Sequence, residues 1–370
     1  MLIALNGRSI LNPQPTGIGR YTYHLLEHLG QVDPKTQYQL YVQKRIFDFK
    51  RKIPHFKNKN IIVKVDYFKR GVKSTLGDFD VYHAPSPEFL SLNDARIIVT
   101  VHDLIYKTYP QGHTQETIRT AEQQLQEIVK RATKIICCSR STQRDLHQFF
   151  KLSQYQSCVI HQGVDHNIFY PLAFKEREQA LKYLTKIGIS QPFLLFVGTI
   201  EPRKNLVNAL KALAKLKENK DFSGRLAIAG MRGWLSEDIG KTIEALQLKE
   251  NVIFLGYVTD EELRYLYGMA EVFLFPSFYE GFGFPILEAF CCGAAVVTSN
   301  VSSCPEVAGD AALLVDPSSP EAIAEAVSKI FKDSSLKMSL QQKALKRAQD
   351  FSFLKTAQET WSIYKEVCQA

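Results

Sequence analysis

The sequence predicts an α/β protein of two halves, each a parallel sheet covered by helices. Three observations predict it. Strand-like and helix-like segments alternate from end to end, as they must where each parallel strand reaches the next through a crossover. The strand-like runs are short and rich in Val, Ile and Phe, as in Val272-Phe273-Leu274-Phe275, which fits strands buried on both faces. Finally, 370 residues with 45% hydrophobic content can fill two separate cores.

In the first half, strands are expected over 2–6, 38–42, 61–65, 80–83, 97–102, 134–138 and 158–161, with helices near 19–29, 115–131 and 142–150. The stretch 163–171, Gly163-Val164-Asp165-His166-Asn167-Ile168-Phe169-Tyr170-Pro171, is turn-rich and reads as a linker. Strands near 193–198, 226–229, 252–255, 272–275, 295–299 and 312–315 then alternate with helices. The closing segment 351–367 has a helical pattern, with Trp361 and Tyr364 on one apolar stripe that either packs in a core or docks across both halves.

Bulk properties exclude several classes. No apolar run approaches the roughly 18 residues that span a bilayer. The start, Met1-Leu2-Ile3-Ala4-Leu5-Asn6-Gly7, reads as a first strand and lacks the basic, then apolar, pattern of a signal. Seven cysteines without a C-x-x-C spacing point to reduced, buried thiols in a cytosolic protein, with no zinc site. The net charge of +8 is unevenly placed: residues 44–73 hold eleven basic residues (Lys44, Arg45, Lys50, Arg51, Lys52, Lys57, Lys59, Lys64, Lys69, Arg70 and Lys73) against Asp48 and Asp66. Phe47, Phe49, Phe56, Tyr67 and Phe68 are interleaved with them. This region reads as a solvated face or as one drawn to an anionic membrane or phosphorylated acceptor, where each cation contributes about 1 kcal/mol. No nucleic-acid module accompanies it, so nucleic acid is not expected as a partner.

The most informative stretch is Glu280-Gly281-Phe282-Gly283-Phe284-Pro285-Ile286-Leu287-Glu288, directly after a strand. Its glycines let backbone approach a bulky ligand, and Pro285 favours a helix start. Glu280 would sit in the loop and Glu288 one turn inside the helix. Amides of the helix start suit an anion and the carboxylates accept from hydroxyls, a combination that fits a nucleotide sugar. A strand-to-helix turn with surface glutamates is the plainer alternative.

Other segments add chemistry. Gly198-Thr199-Ile200-Glu201-Pro202-Arg203-Lys204-Asn205 would project Arg203 and Lys204 from a helix start. A cation about 4 Å from a phosphate oxygen interacts by roughly 4 kcal/mol at an effective dielectric of about 20, so two could hold a leaving diphosphate without a metal. Val99-Thr100-Val101-His102-Asp103-Leu104 puts His102 at the carboxyl end of a strand, where ligands of open sheets collect. There it donates to a sugar hydroxyl or simply caps the strand. Backbone groups of Tyr257 and Val258, before a helix capped by Thr259 or Asp260, are placed to read a base edge. In Pro13-Gln14-Pro15-Thr16-Gly17-Ile18-Gly19-Arg20, Gly17 and Gly19 lie between strand and helix and suit a phosphate. A dinucleotide fingerprint is disfavoured: Thr22 stands at its third glycine, and the second strand ends in Gln43-Lys44-Arg45 without a ribose-binding acid.

Together with His161-Gln162-Gly163-Val164-Asp165 and Ser302-Ser303-Cys304-Pro305-Glu306-Val307, these segments resemble the retaining glycosyltransferases of family 4. That resemblance implies a GT-B fold of two Rossmann-like, doubly wound domains facing across a cleft: an acceptor-binding domain at 1–168, a nucleotide-sugar domain at 169–350, and a helix at 351–370 returning toward the first. It also implies roles. Glu288 would bind the donor ribose and Glu280 the donor sugar, with the amides of Phe282, Gly283 and Phe284 around sugar and diphosphate. Arg203 and Lys204 would hold the diphosphate, Gly17 and Gly19 would close on it, and His102 would lie beside the reacting sugar. The donor phosphate would act as base in a front-face displacement, with no cofactor and no metal. The segment 198–205 with Gly233-Trp234 looks like the branch of bacterial mannosyltransferases, which favours GDP-mannose over UDP-glucose or UDP-N-acetylglucosamine. A nucleotide-sugar-binding protein that has lost catalysis is the alternative from another class. Phe290-Cys291-Cys292 and Phe353 depart from the family pattern in packing more than in chemistry. The expected place is the cytoplasm, peripherally at the inner face of the membrane.

Overall fold

A computed structural model describes residues 1–11, 17–88, 92, 95–231, 233 and 237–369. Pro13, Gln14, Pro15 and Thr16 of the first glycine loop, together with Arg232 and Trp234, lie outside the described residues. The chain divides into two compact units, one of Met1–Lys107, His113–Gly163 and Phe351–Ala370, the other of Thr108–Gly112 and Val164–Asp350.

The first unit holds a seven-stranded sheet of β1 (Leu2–Asn6), β2 (Gln37–Gln43), β3 (Ile61–Asp66), β4 (Val81–Ala84), β5 (Arg96–Val101), β6 (Lys134–Cys137) and β7 (Ser157–Val159), in the order β3-β2-β1-β4-β5-β6-β7. The second holds six strands, β8 (Phe193–Val197), β9 (Arg225–Ala229), β10 (Val252–Gly256), β11 (Val272–Phe275), β12 (Val296–Ser299) and β13 (Leu313–Val315), in the order β10-β9-β8-β11-β12-β13. Every pairing in both is parallel. The central strands are closed to water: all of β4, β6, β8, β11 and β12 is buried. Their continuous apolar runs follow from that double-sided burial.

Expected and observed strands agree within about two residues, the usual fraying of element ends. Two differences touch candidate residues. β5 ends at Val101, so His102 opens the following loop. The first helix runs Gly17–Val32, so Gly17 and Gly19 occupy its first turn and not the connection before it. Gly19 is buried there, alongside Tyr21, Leu25, Leu26 and Leu29 at helical spacing. Packing of that face extends the helix through residues of poor intrinsic propensity.

The closing helix, Phe353–Gln369, packs along the first helix in the first unit. It buries Phe353, Thr356, Ala357, Thr360, Tyr364 and Val367, a 3–4 spacing that places one face inward. Phe353 stacks on His24 with ring centroids 4.6 Å apart. The Tyr364 hydroxyl lies 2.6 Å from His83 Nδ1, and His83 Nε2 lies 2.9 Å from Thr100 Oγ1, which joins the helix to β4 and β5 through a buried polar chain. The expected stripe is therefore core at Tyr364. Gly163 makes this return path: a Cβ there would stand 2.1 Å from the amide nitrogen of Phe353. Among the described residues, no helix is long and apolar enough to cross a membrane.

Candidate active site

In the second sheet the strand order reverses between β8 and β11. Connections from two such neighbours leave on opposite faces, opening a crevice at their carboxyl ends. Residues 198–205 follow β8 and residues 276–283 follow β11.

The first of these loops turns through a 3-10 segment, Pro202–Lys204, and the helix Leu206–Glu218 begins only after Asn205. Asn205 adopts a left-handed backbone (φ 62°, ψ 38°), which asparagine tolerates better than most residues. Its side-chain amide donates to the carbonyls of Pro276 (2.9 Å) and Pro317 (2.6 Å). Arg203 and Lys204 thus stand on a tight turn just ahead of the helix, at the helix start from which the sequence projects them.

That turn aims both cations at the second loop. Lys204 Nζ donates to Glu280 Oε1 at 2.7 Å, and Arg203 Nη1 lies 2.8 Å from Glu280 Oε2. Arg203 Nη2 also pairs with Glu201, and Nη1 donates to the Tyr279 carbonyl at 3.1 Å. Lys204 Nζ stands 4.8 Å from the centre of the Phe275 ring. Lys204 and Glu280 are 8% and 7% exposed, so neither is the solvated surface charge that their residue types suggest. Burial opposes the charge of Glu280, but Arg203, Lys204 and the Ser277 side chain together hold its carboxyl below the usual range. Burial, with help from Arg203, pulls the Lys204 ammonium down despite the attraction of Glu280 and Glu201. The result is a charge-balanced set of two cations and two carboxylates at the switch point.

The second loop is fixed by its backbone. The Phe278 amide donates to the Arg203 carbonyl (2.9 Å) and the Glu280 amide to Ser302 Oγ (3.0 Å). Ser303 Oγ lies 2.9 and 2.7 Å from the carbonyl oxygens of Glu280 and Phe282. Gly283, at φ 112°, then opens the helix Phe284–Cys291, with Pro285 in its first turn as expected. Glu288 falls on the second turn, half-buried, and its Oε2 accepts from the Tyr267 hydroxyl at 3.1 Å. At the other side of the sheet, Tyr257 and Val258 follow β10, and Thr259 caps the next helix in a capping box with Glu262. Backbone bonds from Gly198 to Ala229, Ile200 to Met231 and Gly230 to Gly256, at 2.8–2.9 Å, knit the ends of β8, β9 and β10 into one rim.

In the first unit, His102 is held at both nitrogens. Nε2 donates to the Pro85 carbonyl (2.7 Å) and Nδ1 accepts from the Gln162 amide (2.7 Å). Burial lowers its pKa, against the opposing pull of the Pro85 bond and Asp103, so the ring is neutral. The sequence reading of His102 as a donor to a sugar hydroxyl or a strand cap did not foresee these partners, which engage both ring nitrogens.

Sequence reasoning missed Glu201, Gln162 and Ser303. Each lies inside a segment already singled out, yet only spatial partners distinguish it from a solvated neighbour. Among the described residues, no group of three or more His, Cys, Asp or Glu is arranged to hold a metal ion.

Residues 15–168 match the family model Glycosyltransferase Family 4, and residues 183–347 match Glycosyl transferases group 1. The O-antigen chain mannosyltransferase B of Escherichia coli is 30% identical over 373 residues, covering 95% of this chain and 96% of that one. The chain belongs to glycosyltransferase family 4. This glycosyltransferase has the GT-B fold: sucrose-phosphate synthase from Thermosynechococcus elongatus superposes with a TM-score of 0.80 at 21% identity, over 99% of each chain. A structure of Anabaena HepE in complex with UDP and glucose gives 0.75 at 18% identity, over 99% of this chain and 100% of that one. The cluster of Glu201, Arg203, Lys204 and Glu280, with Glu288, lies in the glycosyltransferase's group 1 region, and Gly17, Gly19 and His102 lie in its family 4 region.

Proposed function

We propose that this glycosyltransferase moves mannose from GDP-mannose, with retention of configuration, to a saccharide or lipid-linked acceptor in polysaccharide synthesis. The observation that carries the reading is the meeting of Arg203, Lys204 and Glu280 at the switch point. The likeness to an O-antigen mannosyltransferase favours mannose.

In this reading Arg203 and Lys204 hold the donor diphosphate and stabilise the charge that develops as the sugar leaves. A carboxylate has about four acceptor sites, so Glu280, bound at each oxygen by one cation, still accepts from sugar hydroxyls. The same two bonds make Glu280 a poor nucleophile, which supports a front-face displacement over a covalent glycosyl-enzyme. The bond from C1 to the phosphate oxygen breaks, the acceptor oxygen bonds C1 on the same face, and its proton passes to the departing diphosphate. Glu288 holds the ribose hydroxyls, while Phe282, Gly283 and Phe284 line sugar and diphosphate. Tyr257 and Val258 read the base by their backbone. In the first unit we assign Gly17, Gly19 and His102 to substrate contact. No metal or cofactor enters this reading.

Calorimetry with GDP, UDP, ADP and NAD tests the donor, and NMR of the product's anomeric proton tests retention. Tight GDP binding with turnover of GDP-mannose to an α-linked product supports the proposal. Preference for UDP would move the donor to UDP-glucose or UDP-N-acetylglucosamine, a reading the HepE complex with UDP and glucose supports. Turnover that vanishes in the Glu280→Ala/Arg203→Ala double variant excludes a non-catalytic binding protein.

A further inference from the structure

Residues 44–73 carry eleven basic and two acidic residues, a net +9 that exceeds the +8 of the whole chain. All the excess positive charge of this protein is therefore concentrated in one stretch. The structure accounts for both of its acids. Asp48 pairs locally with Arg51, Oδ2 to Nε at 3.4 Å. Asp66 is 1% exposed and faces inward, accepting from the amides of Phe68 (3.1 Å), Arg70 (3.0 Å) and Gly71 (2.9 Å) and from the Tyr41 hydroxyl (2.8 Å). Apart from Asp48, half-buried beside Arg51, what faces outward is cationic.

The parallel register sets Gln43 beside Asp66, so the segments after β2 and β3 leave the same edge of the sheet. Gln43, Lys44, Arg45, Asp48 and Arg51 from one and Tyr67 and Lys69 from the other line a shared cavity of about 480 Å³, with four cations against the one carboxylate of Asp48. Around it the large apolar side chains point to solvent: Phe47 is 82% exposed, Phe49 83% and Phe68 66%, with Ile46 at 52%. The Asp66 turn presents Phe68, Lys69 and Arg70 in succession, and the Arg70 guanidinium lies 5.4 Å from the Phe68 ring centre. Three phenylalanines held in water cost free energy that a purely solvated face would avoid.

We propose that residues 44–53 and 67–70 form a docking surface for an anionic phospholipid bilayer. Phe47, Phe49 and Phe68 enter the boundary between headgroups and acyl chains. Lys44, Arg45, Lys50, Lys52, Lys69 and Arg70 meet the headgroup phosphates around them, and the cavity receives one such phosphate. Charge complementarity selects this occupant. A soluble phosphorylated acceptor would need the cations but not the protruding rings, and a second copy of this chain would bring +9 against +9. Projecting aromatics inside a ring of cations combine the two terms, apolar insertion and attraction to anionic lipid, that hold a protein peripherally at a membrane. The proposal goes beyond the donor chemistry and does not depend on it.

Flotation of the full chain with vesicles of phosphatidylcholine, alone or with about one third phosphatidylglycerol, tests it. The wild type should float with the anionic vesicles only, and raising salt from about 0.1 to about 0.5 M should weaken binding by about tenfold or more. F47S/F49S should lower affinity about tenfold at low salt, and K50E/K52E should remove most of the salt-dependent part. Unchanged circular dichroism and melting temperature keep folding out of the result. Equal binding to neutral vesicles, or wild-type flotation by F47S/F49S, would overturn the proposal. So would sedimentation velocity showing that F47S/F49S only dissolves a dimer, or single-stranded RNA binding that outcompetes the vesicles.

Discussion

Lys204 Nζ and Glu280 Oε1 meet at 2.7 Å, although 76 positions separate the residues in sequence. The bond ties the connection after β8 to the connection after β11, the two strands that flank the reversal of the sheet. With Arg203 on the other carboxylate oxygen, it leaves Glu280 doubly bound and nearly closed to water. Groups at a donor site must be charged, near one another and fixed before substrate arrives, because reorganisation at the moment of reaction adds to the barrier. Glu201 completes the balance by pairing with Arg203.

Removing one member should separate stability from catalysis. Glu280→Gln leaves Lys204 buried beside an uncharged amide and should cost about 3–5 kcal/mol, the range for breaking a buried pair. Replacing both, Glu280→Gln with Lys204→Met, should recover much of that stability. Both variants should lose transfer by about a hundredfold or more, as expected when charge stabilisation at the reacting group is removed. Thermal melts and initial rates check the pair. A double variant as unstable as the single would mean that the ion pair is not what stabilises the loops.

Glu288 should govern nucleotide affinity. Glu288→Ala is expected to weaken GDP binding by about 1.5–3 kcal/mol, roughly ten- to a hundredfold, the usual size of a hydrogen bond to a charged group. Tyr267→Phe removes only the hydroxyl that donates to Glu288 at 3.1 Å, and should cost a few-fold, about 1 kcal/mol. Calorimetry that ranks the two variants the other way would displace Glu288 from the ribose.

Asp66 should make the first unit sensitive to acid. Burial alone would raise its pKa, but the Gly71 and Arg70 amides, the Tyr41 hydroxyl and the Phe68 amide bring it from an ordinary 3.8 to about 2. A carboxyl depressed by folding stabilises above its unfolded pKa, and that contribution is lost as pH falls through the folded value. The shift corresponds to about 2 kcal/mol, present at pH 5 and above and disappearing between about pH 4 and pH 2. Asp66→Asn should lower the melting temperature at neutral pH and flatten its fall across that window. Parallel slopes for variant and wild type would show that Asp66 is not the group responsible.

Gly163→Ala should loosen the closing helix. The added Cβ would stand 2.1 Å from the Phe353 nitrogen and 2.4 Å from the Ser352 carbonyl carbon, both backbone. Backbone atoms cannot move aside as a side-chain tip does, so several kcal/mol of strain is expected. Hydrogen exchange along residues 353–369 should accelerate while the strands of the second unit stay protected. Unchanged protection of that helix would mean the close approach is relieved at little cost.

Much of the fold could be read locally. Short runs of Val, Ile, Leu and Phe gave the strands to within about two residues because burial on both faces demands apolar side chains at consecutive positions. The helix 115–131 matched its expected limits, since an amphipathic face and the Thr114 cap act over a few residues. Gly283, Pro285 and Glu288 fell where turn and helix preferences put them. The first helix was read too short, and the 3-10 turn that carries Arg203 and Lys204 ahead of the helix was not foreseen. In both cases a tertiary contact decided the boundary: the packed face around Gly19 in one, the Asn205 bonds to Pro276 and Pro317 in the other.

By itself, the sequence determined that two parallel sheets would form and which segments would carry charge at their edges, because periodicity and turn chemistry are local properties of the chain. Only the tertiary structure decided the partners. It set Glu280 between Arg203 and Lys204, engaged both nitrogens of His102, turned Asp66 inward and left Phe47 and Phe49 in water. The physical reason is distance along the chain: burial and pairing depend on groups that only the folded sheet order brings within a few ångströms of one another, and no local pattern encodes that order.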